Sequence, residues 1–140
     1  MLKALFRSFL ALYIFLYQRT QGQIGGQVQG LPVLLLTTTG RRTGKQRITP
    51  LGYFQHAGDY VVTASNAGFD THPAWYHNLI SNPQVSVQIK GKTFAAQAQP
   101  AEAALRQQLW AQLVALAPGY GRYEKRTTRE IPLVLLRPIP

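Results

Sequence analysis

Two apolar runs rich in β-branched residues, separated by a short turn with two glycines, constrain the fold of this 140-residue chain more than any other feature. Val33 to Thr38 is typical of a buried strand, and Gln46 to His56 of a second one in which Pro50 marks an edge or a bulge. Gly40 and Gly44 let the backbone reverse between them. The pattern predicts a hairpin whose tip projects beyond one end of a sheet.

The tip of this hairpin, Thr37 to Arg47, combines four cations, four threonine hydroxyls and two glycines. Arginine offers forked donors that match phosphate oxygens, and glycine lets a backbone approach an anion closely. The tip is therefore a candidate binding site for a phosphorylated ligand, with Arg41, Arg42 and Arg47 as its contacts and Lys45 solvated. A charged, solvated turn that binds nothing is the alternative that residue types leave open.

Charge and cysteine content limit the classes of partner. The chain has 15 Lys and Arg against 5 Asp and Glu, a formal net charge of +10, and its first acidic residue is Asp59. Such a surface attracts nucleic acid, anionic lipid or a multiply anionic cofactor, and charge does not choose among them. The absence of cysteine excludes disulfides and thiolate chemistry and fits a cytoplasmic protein.

The N-terminal residues 1–17 have the pattern of an amphipathic helix, with Lys3 and Arg7 one turn apart. Eleven residues separate Arg7 from Arg19, too few for the roughly 20 that span a bilayer. The helix is expected either to lie on the inner face of the cell membrane or to pack on protein. Residues 18–30 are predicted to link it to a folded domain at 31–140. The expected apolar side comprises Leu2, Leu5, Phe6, Phe9, Leu10 and Tyr13.

The remaining chain predicts a mainly β fold with helices (α+β), a small antiparallel barrel. A long helix, Ala101 to Leu116, is expected to bury Leu105, Leu109, Leu113 and Leu116 and to expose a Glu102–Arg106 ion pair. Tyr120 and the residues after it are interpreted as a connector. The other predicted elements are a strand at Tyr60 to Ser65, a short helix after Pro73, strands at Val85 to Ile89 and Lys92 to Gln99, and a last strand at Ile131 to Arg137.

Residue types favour a binding site over a hydrolytic one. No serine has a nucleophile-elbow context, no acidic pair has helical spacing, and His72 and His77 are five residues apart, so neither a triad nor a metal centre is expected. Trp75 and Tyr76 could flank a flat ring, unless they simply pack in the core. Ser65 and Asn78 could bond to the ring's heteroatoms, and the tip cations could hold its phosphate, as in a redox cofactor site.

Four motifs carry a family resemblance: residues 34–44 (LLLTTTGRRTG), 64–66 (ASN), 72–79 (HPAWYHNL), and Tyr123 followed by 126–132 (RTTREIP). In this order they resemble the deazaflavin-dependent nitroreductase family from about Leu31 to the C-terminus. The apolar arm is similar to that of membrane-associated members. The resemblance implies a split β-barrel of the flavin-binding pyridoxamine-oxidase type that holds coenzyme F420, an 8-hydroxy-5-deazaflavin with a phosphate and a polyglutamate tail.

The resemblance also implies the site. Tyr120 and Tyr123 are the candidate catalytic residues, expected to bond to the acceptor oxygen and to deliver a proton. No metal is implied. The implied cofactor contacts are Arg41, Arg42, Thr43, Arg47, Ile48, Thr49, Pro50, Leu51, Gly52, Thr63, Ala64, Ser65, Asn66, Ala74, Trp75, Tyr76, His77, Asn78 and Tyr120.

Departures from the family pattern shape the expected reaction. Nitro-activating relatives carry three tyrosines at three-residue spacing, and the first of these positions is Ala117 here; Asn66 and Ala67 replace a lysine and a glycine. We therefore expect hydride transfer to a quinone or another hydrophobic, electron-poor acceptor rather than nitroimidazole activation. An FMN enzyme or carrier is one alternative. A non-enzymatic module that binds anionic lipid or nucleic acid is another, although no nucleic-acid partner is expected.

Overall fold

Six of the seven strands, the second to the seventh in chain order, close into an antiparallel barrel. Their order around the barrel is second, third, fourth, seventh, sixth and fifth, and the fifth pairs back onto the second. This computed structural model describes residues 2–140. The predicted α+β barrel is confirmed. The elements are α1 (Leu2–Thr20), β1 (Gln27–Val28), β2 (Leu31–Thr39), β3 (Gln46–His56), β4 (Asp59–Thr63), a 3-10 turn (Asn66–Gly68), α2 (Ala74–Ser81), β5 (Gln84–Ile89), β6 (Lys92–Pro100), α3 (Ala103–Leu116), α4 (Tyr120–Arg126) and β7 (Leu133–Pro138).

The β2–β3 hairpin has the register that the glycine turn predicts. Pairing runs from Val33 opposite Gly52 to Thr39 opposite Gln46, which leaves Gly40 to Lys45 as the unpaired turn within the tip. Pairing of β3 with β4 begins only at Tyr53. Pro50 therefore lies in the half of β3 that has β2 alone as a neighbour, where a missing N–H costs no ladder bond.

Strand β2 is buried on both faces, which explains its continuous apolar run. Leu34 and Leu36 belong to the cluster that fills the barrel, whereas Val33 and Leu35 pack against α1. A third cluster lies where α3 and α4 cover the outer face of β3, β4 and β7; its members include Phe54, Val61, Leu109, Trp110, Leu113, Tyr120, Leu133 and Leu135.

One buried tyrosine fixes the C-terminal end of α1 to the barrel. The Tyr17 hydroxyl donates to the Val33 carbonyl at 2.8 Å and accepts from the Lys90 backbone N–H at 2.9 Å. The segment after α1 was predicted to be a linker. This is wrong in part, because α1 continues to Thr20 and Gln27–Val28 pairs with β2.

The predicted exposed Glu102–Arg106 pair is wrong. Arg106 is buried, and its Nε and Nη2 donate to the Ile131 carbonyl at 3.1 and 3.0 Å while its guanidinium lies 4.7 Å from the Trp110 ring centre. A buried guanidinium needs such an acceptor, and the acceptor lies 25 residues away in sequence. Leu116, predicted to be buried, is half exposed. The predicted connector after Pro118 instead contains helix α4.

Candidate functional site

The hairpin tip is folded by its own backbone, so its side chains are free to face outward. The Gly40 N–H donates to the Lys45 carbonyl at 2.7 Å, and the Gly44 N–H to the Gly40 carbonyl at 2.8 Å. Gly44 has φ +73°, a conformation that costs residues with a Cβ about 1–2 kcal/mol. Arg41, Arg42 and the rest of the tip through Arg47 are exposed.

Helix α2 holds the tip through Asn78, whose side chain is only 6% exposed. Its Nδ2 donates to Thr38 Oγ1 at 3.2 Å, and its Oδ1 accepts the Arg41 backbone N–H at 3.1 Å. The amide thus fixes both the end of β2 and the first arginine of the tip. The Asn78 side chain therefore positions Arg41, a role that the residue type alone did not indicate.

We expect Asn78→Leu to lower the free energy of unfolding by about 2 kcal/mol, because it leaves the Arg41 N–H and the Thr38 hydroxyl without their partner. Chemical denaturation measures the loss. Thr38→Val is the matched control, since it removes the Thr38 bond but keeps the bond to Arg41. Equal losses in the two variants would contradict a separate role for the Arg41 bond.

An open cleft of about 700 Å³ lies beside the tip. It brings together nine predicted contacts from three segments, and α1 adds Arg7 and Leu10. The described residues that line it include four arginines and no carboxylate, so the cleft favours an anion. The predicted contacts in it are Arg41, Arg42, Thr43, Arg47, Ile48, Thr49, Ala74, Trp75 and Asn78.

Arg7 is a candidate contact that the sequence reasoning missed. Helical periodicity placed Lys3 and Arg7 on one side of an arm that was expected to lie on the membrane or to pack on protein. In the structure Arg7 faces the chain's own cleft together with Leu10. The only signal in the sequence is the one-turn spacing of Lys3 and Arg7, and this spacing does not show whether that side of the helix faces the protein or a membrane.

Several predicted contacts lie outside the cleft. Pro50 lines a neighbouring apolar pocket, and Leu51 and Tyr76 pack against the barrel core. A Cβ on Gly52 would lie 3.1 and 3.2 Å from atoms of Val28 and Leu31, so packing also accounts for this glycine. Thr63, Ala64, Ser65 and Asn66 follow one another from the end of β4 into the 3-10 turn, and His77 lies on α2.

The turn after β4 is strained and is held by Arg129, which the sequence analysis included only as part of the 126–132 motif. Ala67 has φ +54°, and Asn66 has φ +47°. Arg129 donates from Nε to the Phe69 carbonyl at 2.9 Å and from Nη2 to the Ser65 carbonyl at 2.8 Å. It also reaches the Ala64 carbonyl at 3.3 Å from both terminal nitrogens. One guanidinium thus fixes the loop that carries Ser65 and Asn66.

Arg129 also determines the tautomer of His72. Its Nη1 lies 3.0 Å from His72 Nδ1, and a guanidinium nitrogen can only donate, so Nδ1 is the acceptor and Nε2 carries the proton. Burial, followed by the positive charge of Arg129 and then His77, lowers the pKa of His72 below its ordinary value of 6.5. His72 is therefore neutral at pH 7.

We expect a decrease in stability between about pH 7 and pH 5 that His72→Gln removes. In the unfolded chain His72 is protonated near its ordinary pKa, whereas in the folded protein it is protonated only at a lower pH. The free energy of unfolding therefore falls as the pH drops through about 6.5, and it levels off below the lowered pKa of the folded state. Glutamine still accepts from Arg129 but does not titrate. Denaturation at a series of pH values measures the difference; parallel curves for the two proteins would refute it.

The two candidate catalytic tyrosines lie together on α4. The ring centres of Tyr120 and Tyr123 are 5.5 Å apart, edge to face. Tyr120 is buried, and burial, followed by the neighbouring Tyr123, raises its pKa above 10.0, so the phenol stays protonated. The Tyr123 hydroxyl accepts from Gln29 Nε2 at 2.8 Å. Helix α4 contacts the 3-10 turn, so the pair lies beside the Ser65–Gly68 end of the site.

The closed six-strand antiparallel barrel, with a cationic cleft at its hairpin tip, defines the class of this chain as a split β-barrel protein. A solved structure from Listeria innocua, named as a putative pyridoxamine 5'-phosphate oxidase, shares this fold, with a TM-score of 0.57 at 10% identity over 77% of this chain and 84% of that one. Sequence comparison assigns the chain to a family, which is a narrower group than the fold class. The sequence profile of the F420H(2)-dependent quinone reductases matches residues 11–138, and the chain belongs to that family.

Two relatives show how far this similarity extends. The F420H(2)-dependent quinone reductase Rv1261c of Mycobacterium tuberculosis is 39% identical over 132 residues, which cover 91% of this chain and 88% of the relative. A solved F420-H2 dependent reductase, FDR-A, is 37% identical with a TM-score of 0.69, over 76% of this chain and 94% of that one. The predicted oxidoreductase class and the predicted deazaflavin-dependent family are confirmed. The individual site residues stay predictions.

Proposed function

We propose that this chain binds coenzyme F420 in the arginine-lined cleft and reduces a quinone with it. The observation that carries the proposal is the convergence of Arg41, Arg42, Arg47 and Arg7 on one cleft with Trp75. Charge-assisted bonds from arginine suit the phosphate and carboxylates of the cofactor's tail. When bound, the cofactor supplies the hydride, and the protein supplies binding and orientation.

The residues that line the cleft form two groups, one of hydrogen-bond donors and one of apolar side chains. The tip residues Arg41, Arg42 and Thr43 present donors for an anionic tail, and Trp75 with Ile48 presents apolar surface for a flat ring. A phosphate-free or uncharged ligand would leave the guanidinium groups uncompensated. The donor set therefore fits a multiply anionic, ring-bearing cofactor.

Tyr120 and Tyr123 are proposed to serve the acceptor. The Tyr120 phenol stays protonated, and a phenol hydroxyl can donate to a quinone oxygen. Because the Tyr123 oxygen accepts from Gln29, its own O–H remains able to donate. Reduction of a quinone to a hydroquinone needs one proton in addition to the hydride, and this pair is the proposed source of that proton.

The proposal is tested by fluorescence titration of the protein with coenzyme F420 and with FMN under the same conditions, followed by reoxidation of the reduced coenzyme with quinones and a nitroaromatic compound. Saturable F420 binding and faster reoxidation by quinones are expected. Binding of FMN alone would favour the flavin alternative. Salt-sensitive DNA binding without affinity for either cofactor would favour the non-enzymatic module.

We also propose that α1 rests on an anionic membrane surface. No helix within residues 2–140 is long and apolar enough to cross a bilayer. Helical spacing places a set of exposed apolar residues on the face that points away from Ile14 and Tyr17, which pack on β2. Insertion of this face, aided by the positive charge of the arm, would hold the protein peripherally. The exposed residues of this face are Leu5, Leu12 and Phe15, with Leu2 and Phe9 at its margin.

Sedimentation with vesicles of anionic and of neutral lipid tests this membrane role. We expect Leu5→Asp with Leu12→Asp to reduce the vesicle-bound fraction severalfold, because each change removes apolar area and adds a charge that the surface repels. Leu116→Asp with Ile80→Asp is the control, since these residues are also half exposed but lie on other helices. Equal losses in the two pairs would exclude α1 as the contact.

A further inference from the structure

A second, apolar cavity of about 200 Å³ lies between α1 and the β1–β3 part of the sheet. We propose that it binds the hydrocarbon chain of the quinone acceptor, so that the protein selects quinones with a long apolar substituent. The inference rests on the proposed quinone reductase function and adds a subsite for the substrate. The cavity is lined by Phe6, Phe9, Leu10, Tyr13, Val28, Val33 and Pro50.

The apolar cavity adjoins the cationic cleft along two elements. Leu10 lines both spaces, so they share a wall on α1. On β3 the lining passes from Ile48 and Thr49 in the cleft to Pro50 in the apolar cavity, which are consecutive residues. A quinone head near a cofactor ring in the cleft would therefore have its substituent within reach of the apolar cavity.

The lining favours a hydrocarbon over water. Its polar group, the Tyr13 hydroxyl, already donates to the Gly25 carbonyl, and the other lining side chains are apolar. Water that enters this open cavity finds almost no free polar partner on the lining, whereas a hydrocarbon chain would meet apolar surface on several sides. Occupation by an alkyl chain would cover lining surface that is exposed without it.

Access to this cavity is from the same side as the proposed membrane face. Phe6 and Phe9 form its rim and are each 66% exposed, next to Leu5 and Leu12 in the helix. Quinones with long chains reside in the bilayer, so a chain that enters between α1 and the sheet need not cross the charged cleft. The anionic cofactor in the cationic cleft and the apolar substituent in the apolar cavity thus occupy separate compartments divided by Leu10.

The test compares two para-benzoquinones with the same ring, one carrying a methyl group and one a decyl chain, in solution without membranes. The protein loaded with reduced F420 is expected to show a higher kcat/KM for the decyl quinone. Phe6→Ala with Phe9→Ala should reduce the decyl-to-methyl ratio of kcat/KM about tenfold, since the change removes two aromatic rings that the chain would contact. Calorimetric titration of the oxidised holoprotein with decyl quinone should show the same loss of affinity.

Leu12→Ala with Phe15→Ala is the matched control, because it removes similar exposed apolar area from the same helix outside the cavity. The control should keep the decyl-to-methyl ratio of the original protein. An equal reduction in both double variants, or no preference for decyl in the original protein, would overturn the proposal. If neither quinone reoxidises the coenzyme, the quinone reductase function itself fails, and calorimetry then shows whether the cavity still binds the chain.

Discussion

Replacing Arg42 and Arg47 together with glutamine is expected to weaken binding of coenzyme F420 at least a hundredfold. Both residues line the cationic cleft, one on the tip and one at the start of β3. A hydrogen bond to a charged group contributes about 1.5–3 kcal/mol, so two such contacts give about 3 kcal/mol or more, and each 1.4 kcal/mol is a factor of ten. Fluorescence titration at fixed ionic strength measures the change.

Lys45→Gln with Lys92→Gln is the charge-matched control for this pair. It removes the same net charge from exposed positions that do not belong to the cleft lining. If general electrostatic attraction alone held the cofactor, both double variants would lose similar affinity, and added salt would abolish the difference. A local site predicts a much larger loss for the arginine pair, persisting at high salt. Unchanged affinity of the arginine variant would exclude the cleft as the tail site.

The hairpin and its charged tip could be predicted because the signals are local. Glycines bracket the turn, β-branched residues flank it, and the register follows from the turn length. The strand pairing that closes the barrel could not be predicted, because β2 pairs with β5, which lies about fifty residues later in the sequence. The alternation of apolar and polar residues in β5 indicates a half-buried strand, but it does not identify the strands with which β5 pairs.

Helix α4 and the role of Arg106 could not be read from the sequence for a related reason. The helix is seven residues long, contains Gly121 and shows no apolar period, so it forms through burial of Tyr120 and contact with the 3-10 turn. Helical spacing offered Glu102 as the partner of Arg106, but the Trp110 ring and the Ile131 carbonyl provide a better buried environment.

The N-terminal helix shows the limit of periodicity most clearly. The pattern correctly indicated an amphipathic helix, and α1 covers all of the predicted residues that the structure describes. Helical periodicity distinguishes an apolar face from a charged face, but it does not show whether each face contacts the protein, a membrane or solvent. The hydroxyl of Tyr17 fixes the rotation of the helix. That rotation directs Arg7 and Leu10 to the cleft and leaves Leu5, Leu12 and Phe15 exposed, so part of the predicted apolar side faces the protein.

Arg129→Met is expected to lower the free energy of unfolding by about 2 kcal/mol and to loosen the Ser65–His72 loop. Methionine keeps much of the apolar stem but removes the donors to the carbonyls of Ala64, Ser65 and Phe69. Bonds to a charged donor contribute about 1.5–3 kcal/mol, although water replaces part of the loss at this half-buried site. For a chain of this size we expect the thermal midpoint to fall by about 5–8 °C.

Arg122→Met separates this role from a general effect of removing a cation, because Arg122 is exposed on α4, nearby in sequence. Hydrogen exchange should show faster exchange of the Gly68 and Phe69 amides in the Arg129 variant, since their turn bonds to Ser65 and Asn66 depend on a strained backbone that the guanidinium holds in place. The barrel amides should keep their protection relative to global unfolding. Equal midpoints and equal loop exchange in the two variants would mean that the turn at Asn66 and Ala67 is stable without Arg129, and that packing of α4 alone positions this end of the site.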